Sequence, residues 1–192
     1  MYQRLPSWVL GFHGTDAGTA QRILNTTQEH LSPSNNAFDW LGDGIYFWEN
    51  DPVRALQYVQ ENFERKKKSA TPAVIGAVID LGLCLNLFDQ TAIQELAQAY
   101  QVLTDNFKAM ESPLPENRGG GEDRLLRYLD RAVITELHEL RRESRLPSYD
   151  AVRSGFHEGA SVYPGAGFRS KNHIQIAVRN PALIKGYFLP RL

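Results

Sequence analysis

Apolar residues gather over "WVLGFHGT" at residues 8–15 and stop at a Gly-Thr pair, a pattern that predicts a first strand ending at Gly14. In "DAGTAQRILNTT" the period lengthens to that of a helix, with Asp16 at its start and Ile23 and Leu24 on its inner face. "HLSPSNNAFDWLGDG" is rich in Ser, Pro, Asn and Gly and reads as a loop, and "GIYFW" after it alternates as a second strand. In "ENDPVRALQYVQENFERKKK", Asp51 is an N-cap and Pro52 the first helical residue, followed by Val53, Leu56, Val59, Gln60 and Phe63 at helical spacing. The basic tail Arg65–Lys68 suits a helix C-terminus and reads as a solvated end. "AVIGAVIDLGLCLNLF" predicts a central strand and a second short one, the expected spine of a sheet. A helix follows over "DQTAIQELAQAYQVLTDNFKAM", then a loop over "ESPLPENRGGGED" and a helix over "DRLLRYLDRAVITELHELRRES". The last third, "YDAVRSGF", "SVYPGAGF", "NHIQIAV" and "NPALIKGYFLP", has strand character broken by Gly and Pro. Strands at both ends and helices in the middle predict an α+β fold.

Composition narrows the class. With 192 residues and 42% apolar content, a single domain over residues 1–192 can bury its own core. The 21 basic and 22 acidic residues nearly cancel, so no global field draws the chain to nucleic acid or an anionic membrane. The one cysteine, Cys84, lies in an apolar run, which excludes a disulfide within the chain and predicts a buried, inert thiol. "MYQRLPSWVL" has no signal-peptide core and no apolar run approaches the ~20 residues of a membrane span, so a cytoplasmic protein is expected. The five histidines are scattered without metal-ligand spacing, the triple glycine Gly119–Gly121 lacks the Lys and hydroxyl ending of a phosphate loop, and no Gly-x-Ser-x-Gly occurs. No metal cofactor is therefore expected.

"FHGT" at a strand end, "GDGIYFWENDP" with a tyrosine entering a strand, and "HIQIAV" near the C-terminus together resemble the ADP-ribosyltransferase superfamily, in its diphtheria-toxin-like and poly-ADP-ribose-polymerase-like branch with a His-Tyr-Glu signature. The resemblance is closest over residues 11–60. It extends to "AVIGAVIDLG" and "QIAVRNPALIKGYFL", with residues 89–147 as an unmatched helical insertion. It implies a split β-sandwich of two small sheets around an NAD cleft, with flanking helices. NAD would be the substrate: breaking its nicotinamide–ribose bond leaves an oxocarbenium-like cation, which needs a firm hold on nicotinamide and groups near the developing charge. By resemblance, His13 bonds the adenosine-side ribose, the Gly14 backbone grips the nicotinamide carboxamide, Thr15 belongs to the same NAD-binding set, Tyr46 stacks on the ring and Tyr58 closes it from the other side. Taken alone, either tyrosine is an ordinary core aromatic.

The third signature position departs from the pattern. In "NHIQIAVRN" the tail alignment puts Gln175 where the family has glutamate, with His173 one polar position earlier. Glutamine can bond a ribose hydroxyl but brings no negative charge and is no general base. Poly-ADP-ribose elongation is therefore not expected, and single transfer is. Glu158 in "FHEG" is a candidate for the missing carboxylate, or a solvated turn acid. Arg153, in an apolar setting, is a pyrophosphate ligand or half of an ion pair with Asp150 or another acid. Ser34, Asn35, Asn36 and Asp39 border the adenosine side or simply form turns, and "SVYPGAGFRSKN" contacts an acceptor or is a plain connection. The expected protein is a toxin-like or phage-defence mono-ADP-ribosyltransferase with a protein or nucleic-acid acceptor and an antitoxin or other inhibitory partner, without membrane attachment. NAD glycohydrolase activity and a non-catalytic NAD or ADP-ribose binding module are the alternatives. A 2'-phosphotransferase acting on RNA is disfavoured by Tyr46.

Overall fold

The computed structural model describes residues 8–119 and 123–191. Gly120 and Gly121 of the triple glycine lie outside them, as do residues 1–7 of the N-terminal stretch. The strands are β1 (Val9–Asp16), β2 (Ile45–Glu49), β3 (Pro72–Ile79), β4 (Cys84–Asn86), β5 (Ala151–Phe156), β6 (His173–Val178) and β7 (Ile184–Phe188). The helices are α1 (Ala17–Leu24), α2 (Pro52–Lys66), α3 (Gln90–Ala109) and α4 (Tyr128–Glu143). The fold is α+β. Its strands form one seven-stranded mixed sheet in the order β4-β5-β6-β2-β1-β3-β7, with β4 and β5 the parallel pair.

Two separate small sheets were expected, and the hydrogen-bonded ladder is instead continuous. The junction is narrow: β1 meets β2 only at Gly11–Glu49 and Phe12–Trp48, whereas β1 and β3 pair along their whole length from Val9 to Asp16. Past Phe12 the sheet therefore opens between β1 and β2. The expected spine is also displaced. β3 is second from one edge and β4 lies on the other, separated in sequence by a tight turn at Gly82 with φ +57. Central position belongs to β2.

Register assigns the two faces. Phe12, Trp48, Tyr46, Gln175, Ala177 and Val152 are linked through directly opposed pairs and share one face. On that face α2 covers Phe12, Trp48 and Val74 with Ala55, while α3 and α4 cover Leu85, Val152 and Ala177 with Ala99, Leu103, Ile134 and Leu137. The opposite face buries Phe47, Ile75, Ala77, Ile79 and Ile176 against Ile23 of α1 and Leu31. Cys84 is buried there, and removal from water pushes its thiol up to about 12, away from nucleophilic use.

Local capping explains the helix limits. Asp16 accepts from the Thr19 N–H, Asp51 from the Arg54 N–H with Pro52 behind it, and α2 ends at Lys67 in the left-handed region. The helix predicted from residue 123 begins later, at Tyr128. The Asn117 side chain accepts the N–H groups of Leu129 and Asp130, and Leu126 pairs with Arg118 in a short bridge, which draws residues 124–126 out of the helix. "SVYPGAGF" forms no strand beyond the single bridge Ser161–Arg169; its Pro and Gly residues leave an irregular loop with Val162, Tyr163 and Phe168 exposed.

Candidate functional site

Where β1 and β2 diverge, a cleft of about 320 Å³ opens on the α2 side of the sheet. His13 and Gly14 line it from β1, Tyr46 and Trp48 from β2, and Arg54, Tyr58 and Arg65 from α2. Gln175 reaches it from β6, Phe156 and Glu158 from the end of β5 and beyond, Leu125 and Leu126 from the segment before α4, and Ser34, Asn36, Asp39 and Trp40 from the loop before β2.

His13 closes the gap in the ladder. Its Nδ1 lies 2.7 Å from the Tyr46 carbonyl oxygen, and because a carbonyl only accepts, Nδ1 carries the proton and donates. Burial holds the imidazole pKa below its ordinary value, so the ring is neutral at pH 7 and Nε2 is left as a hydrogen-bond acceptor. Tyr46 is fixed through its hydroxyl, which donates to the Gly42 carbonyl at 2.7 Å and accepts from the Leu41 N–H at 3.1 Å. Burial raises its pKa far above the usual phenol range, so the hydroxyl stays protonated and the ring is the part available to a ligand. The loop that supplies these partners is itself braced: Asn36 N–H donates to Asp39, and Arg131 of α4 donates to Asn35.

Tyr58 is 41% exposed, and its ring centre lies 4.8 Å from that of Trp48. Gln175 accepts a 2.7 Å hydrogen bond from Trp40 Nε1, and Trp40 packs on Phe156 at 4.7 Å between ring centres. Glu158 is 9% exposed and Arg54 is 5% exposed. Arg54 Nη2 donates to both carboxylate oxygens of Glu158, at 2.9 and 2.8 Å. His173 adjoins the pair, with Nδ1 3.9 Å from Glu158 Oε2 and donating at 2.6 Å to the Lys171 carbonyl; burial lowers its pKa and keeps it neutral at pH 7.

Two expected residues are elsewhere. Arg153 does not line the cleft: strand alternation turns it to the opposite face from Gln175, where it makes a paired contact with Glu49 at 2.5 and 2.9 Å and a bond to Asn86. Of the two uses weighed for Arg153, the ion pair is the one present, with Glu49 and not Asp150 as partner. Thr15 lies on β1 opposite Ala73 and is not among the lining residues. Gly14 has a packing reason beyond ligand access. A Cβ there would sit 2.4 Å from the Ala55 carbonyl oxygen and 2.9 Å from Val59 Cβ, so glycine is what lets α2 lie on β1.

No family model and no solved structure matches the chain. One curated relative is an archaeal protein, "Uncharacterized protein MJ0359" of Methanocaldococcus jannaschii, 27% identical, with the match covering 91% of this chain and 83% of that one. The chemistry of the site therefore has to come from its own residues.

Trp40, Trp48, Arg54, Arg65 and Phe156 were not singled out from the sequence. A usable signal existed for two of them. Tyr58 was expected to face a ligand, and residues four before and seven after it, Arg54 and Arg65, fall on the same helical stripe. Trp40 lies in a loop and Phe156 at a strand end, where no periodicity forecasts direction. Among the described residues no group of three or more His, Cys, Asp or Glu side chains could hold a metal ion, and no helix is long and apolar enough to cross a membrane.

Proposed function

We propose that the chain is an NAD-dependent mono-ADP-ribosyltransferase acting on a macromolecular acceptor, a protein or a nucleic acid, in a toxin-like role restrained by an inhibitory partner. One observation carries this: His13, Gly14, Tyr46, Tyr58, Glu158 and Gln175, drawn from both ends of the sequence, line a single cleft. Neutral His13 offers Nε2 to a ribose hydroxyl. The Tyr46 ring offers a stacking face to nicotinamide, and Tyr58 a second one.

In the reaction the bond between ribose C1′ and nicotinamide breaks, its electron pair leaves with nicotinamide, and nicotinamide departs neutral. A lone pair of the acceptor then bonds to C1′, and the proton displaced from the acceptor passes to solvent. The wall of aromatic side chains lowers the local dielectric, which strengthens any carboxylate's hold on the cationic sugar. Gln175 in place of an acid favours a second reading, a module that binds NAD without transfer.

Incubation with NAD labelled in its ADP-ribose portion, with cell lysate and separately with RNA, tests the proposal when free nicotinamide is measured alongside. Label on a macromolecule with equal nicotinamide release is the expected result. Release without label identifies a glycohydrolase, binding without release identifies the module, and absence of NAD binding rejects all three.

A further inference from the structure

We infer that the cleft divides between two side chains the work that one acid would do: Gln175, oriented by Trp40, is a hydrogen-bond donor to the ribose, and Glu158, held by Arg54, is the carboxylate that faces the sugar cation. This rests on the NAD proposal above and adds two positioning residues, Trp40 and Arg54.

The polarity of Gln175 follows from its partner. An indole N–H can only donate, so the group 2.7 Å from Trp40 Nε1 is the amide oxygen, and the amide NH2 is left as the donor for the cleft. Trp40 is itself held by Phe156, so the amide cannot turn without losing this bond. A donor at this point bonds a ribose oxygen and takes up no proton.

Negative charge must then come from another lining residue, and the lining carboxylates are Asp39 and Glu158. Asp39 sits in a largely exposed loop, where water screens its charge and each oxygen accepts one bond from Asn36, whereas Glu158 is buried on the cleft wall. Glu158 meets a single nitrogen of Arg54 and keeps further lone pairs on both oxygens. Burying an ion pair adds little to stability compared with apolar side chains of the same size, so a buried pair on a cleft wall calls for a use. Arg54 Nε is buried without a hydrogen-bond partner and Nη1 has only the Glu61 carboxylate 3.9 Å away, while Trp48 Nε1 and His173 Nε2 nearby are buried without a hydrogen-bond partner. Such incomplete satisfaction is costly in a core and is common where a polar arrangement serves a ligand.

The test uses the full chain, NAD binding by calorimetry, and nicotinamide release in the presence of lysate. Glu158→Gln keeps an acceptor for Arg54; it is expected to leave NAD affinity within about threefold while lowering kcat about 100-fold, the size seen when one transition-state contact is lost. Trp40→Phe and Gln175→Ala are each expected to raise KM about tenfold, and their combination no more than either alone, as for two residues acting as one unit. Arg54→Met is expected to match Glu158→Gln in kcat, and Arg54→Lys to recover part of the loss. Thermal midpoints monitor folding, and Glu158→Gln alone decides if Arg54→Met does not fold. Wild-type kcat in Glu158→Gln, or additive effects of Trp40→Phe and Gln175→Ala, overturns the inference and leaves the NAD proposal standing. A wild-type protein that binds no NAD overturns both, and one that binds NAD without releasing nicotinamide overturns the division of labour.

Discussion

Two of the molecule's arginine–glutamate pairs, Arg153–Glu49 and Arg54–Glu158, stand in opposite settings. Arg153–Glu49 joins β5 to β2 on the face of the sheet away from the cleft, makes two N–H···O contacts, takes a further bond to Asn86 and packs on Phe88. Arg54–Glu158 joins α2 to the loop after β5 on the cleft wall, uses one arginine nitrogen, and leaves Nε without a hydrogen bond and Nη1 with only Glu61 at 3.9 Å. The first pair is closed and the second is open. Burial and charge are alike in both; the difference is which side of the sheet each element presents, and whether a ligand has access.

Breaking the pairs one at a time sharpens the contrast. Arg54→Met and Arg153→Met each strand a buried carboxylate, and each is expected to cost about 3 kcal/mol in chemical denaturation. Only Arg54→Met also cuts nicotinamide release, by about 100-fold. Equal losses of release in both variants would erase the distinction. Next in size is Gly14→Ala, where the new Cβ meets the Ala55 carbonyl oxygen; a loss of about 2 kcal/mol by the same method is expected from overpacking, and a neutral result would show that α2 is free to shift. Glu49→Gln keeps an acceptor for Arg153 and is expected to cost about 1 kcal/mol with release unchanged, read from a denaturation curve and a rate on the same sample.

The smallest effect is that of pH. Burial, helped by the Arg179 charge, lowers the His138 pKa from 6.5 to about 4, and burial lowers those of His13 and His173. Folded histidines with depressed pKa values take up protons later than the unfolded chain does. Stability from these groups is therefore present above pH 6.5 and falls as pH drops towards the folded values, reaching its floor for His138 below about 4. A thermal midpoint that declines from pH 7 to pH 5, with a shallower decline in His138→Gln, is the expected profile; a rising midpoint would contradict it.

Much of the fold was legible. Asp51 and Pro52 placed the start of α2, the Gly-Ile-Tyr-Phe run placed β2, and "HIQIAV" placed β6, because capping and alternation are local. The side-chain direction of Gln175 towards the cleft also followed from alternation. Long-range order did not follow: nothing in "AVIGAVIDLGLCLNLF" tells that β3 and β4 part to opposite sides of the sheet. The start of α4 depended on Asn117, a residue eleven positions upstream of Tyr128, whose bonds to the helix N-terminus no propensity reveals. At the site, Arg153 stood out by its apolar, strand-like surroundings, and Arg54, inside a helix pattern, did not. Strand register sends Arg153 to the far face, and the stripe through Tyr58 brings Arg54 to the near one.

The most direct measurement of the central claim is calorimetric titration of NAD into the wild-type chain and into Tyr46→Ala, whose lost ring removes the stacking face while the β2 backbone that accepts from His13 remains. Saturable one-site binding by the wild type, weakened about 5- to 160-fold in Tyr46→Ala, is the result predicted from a stacking contact of about 1–3 kcal/mol. Absence of binding by the wild type, or equal affinity in the two proteins, would contradict a nicotinamide site in this cleft.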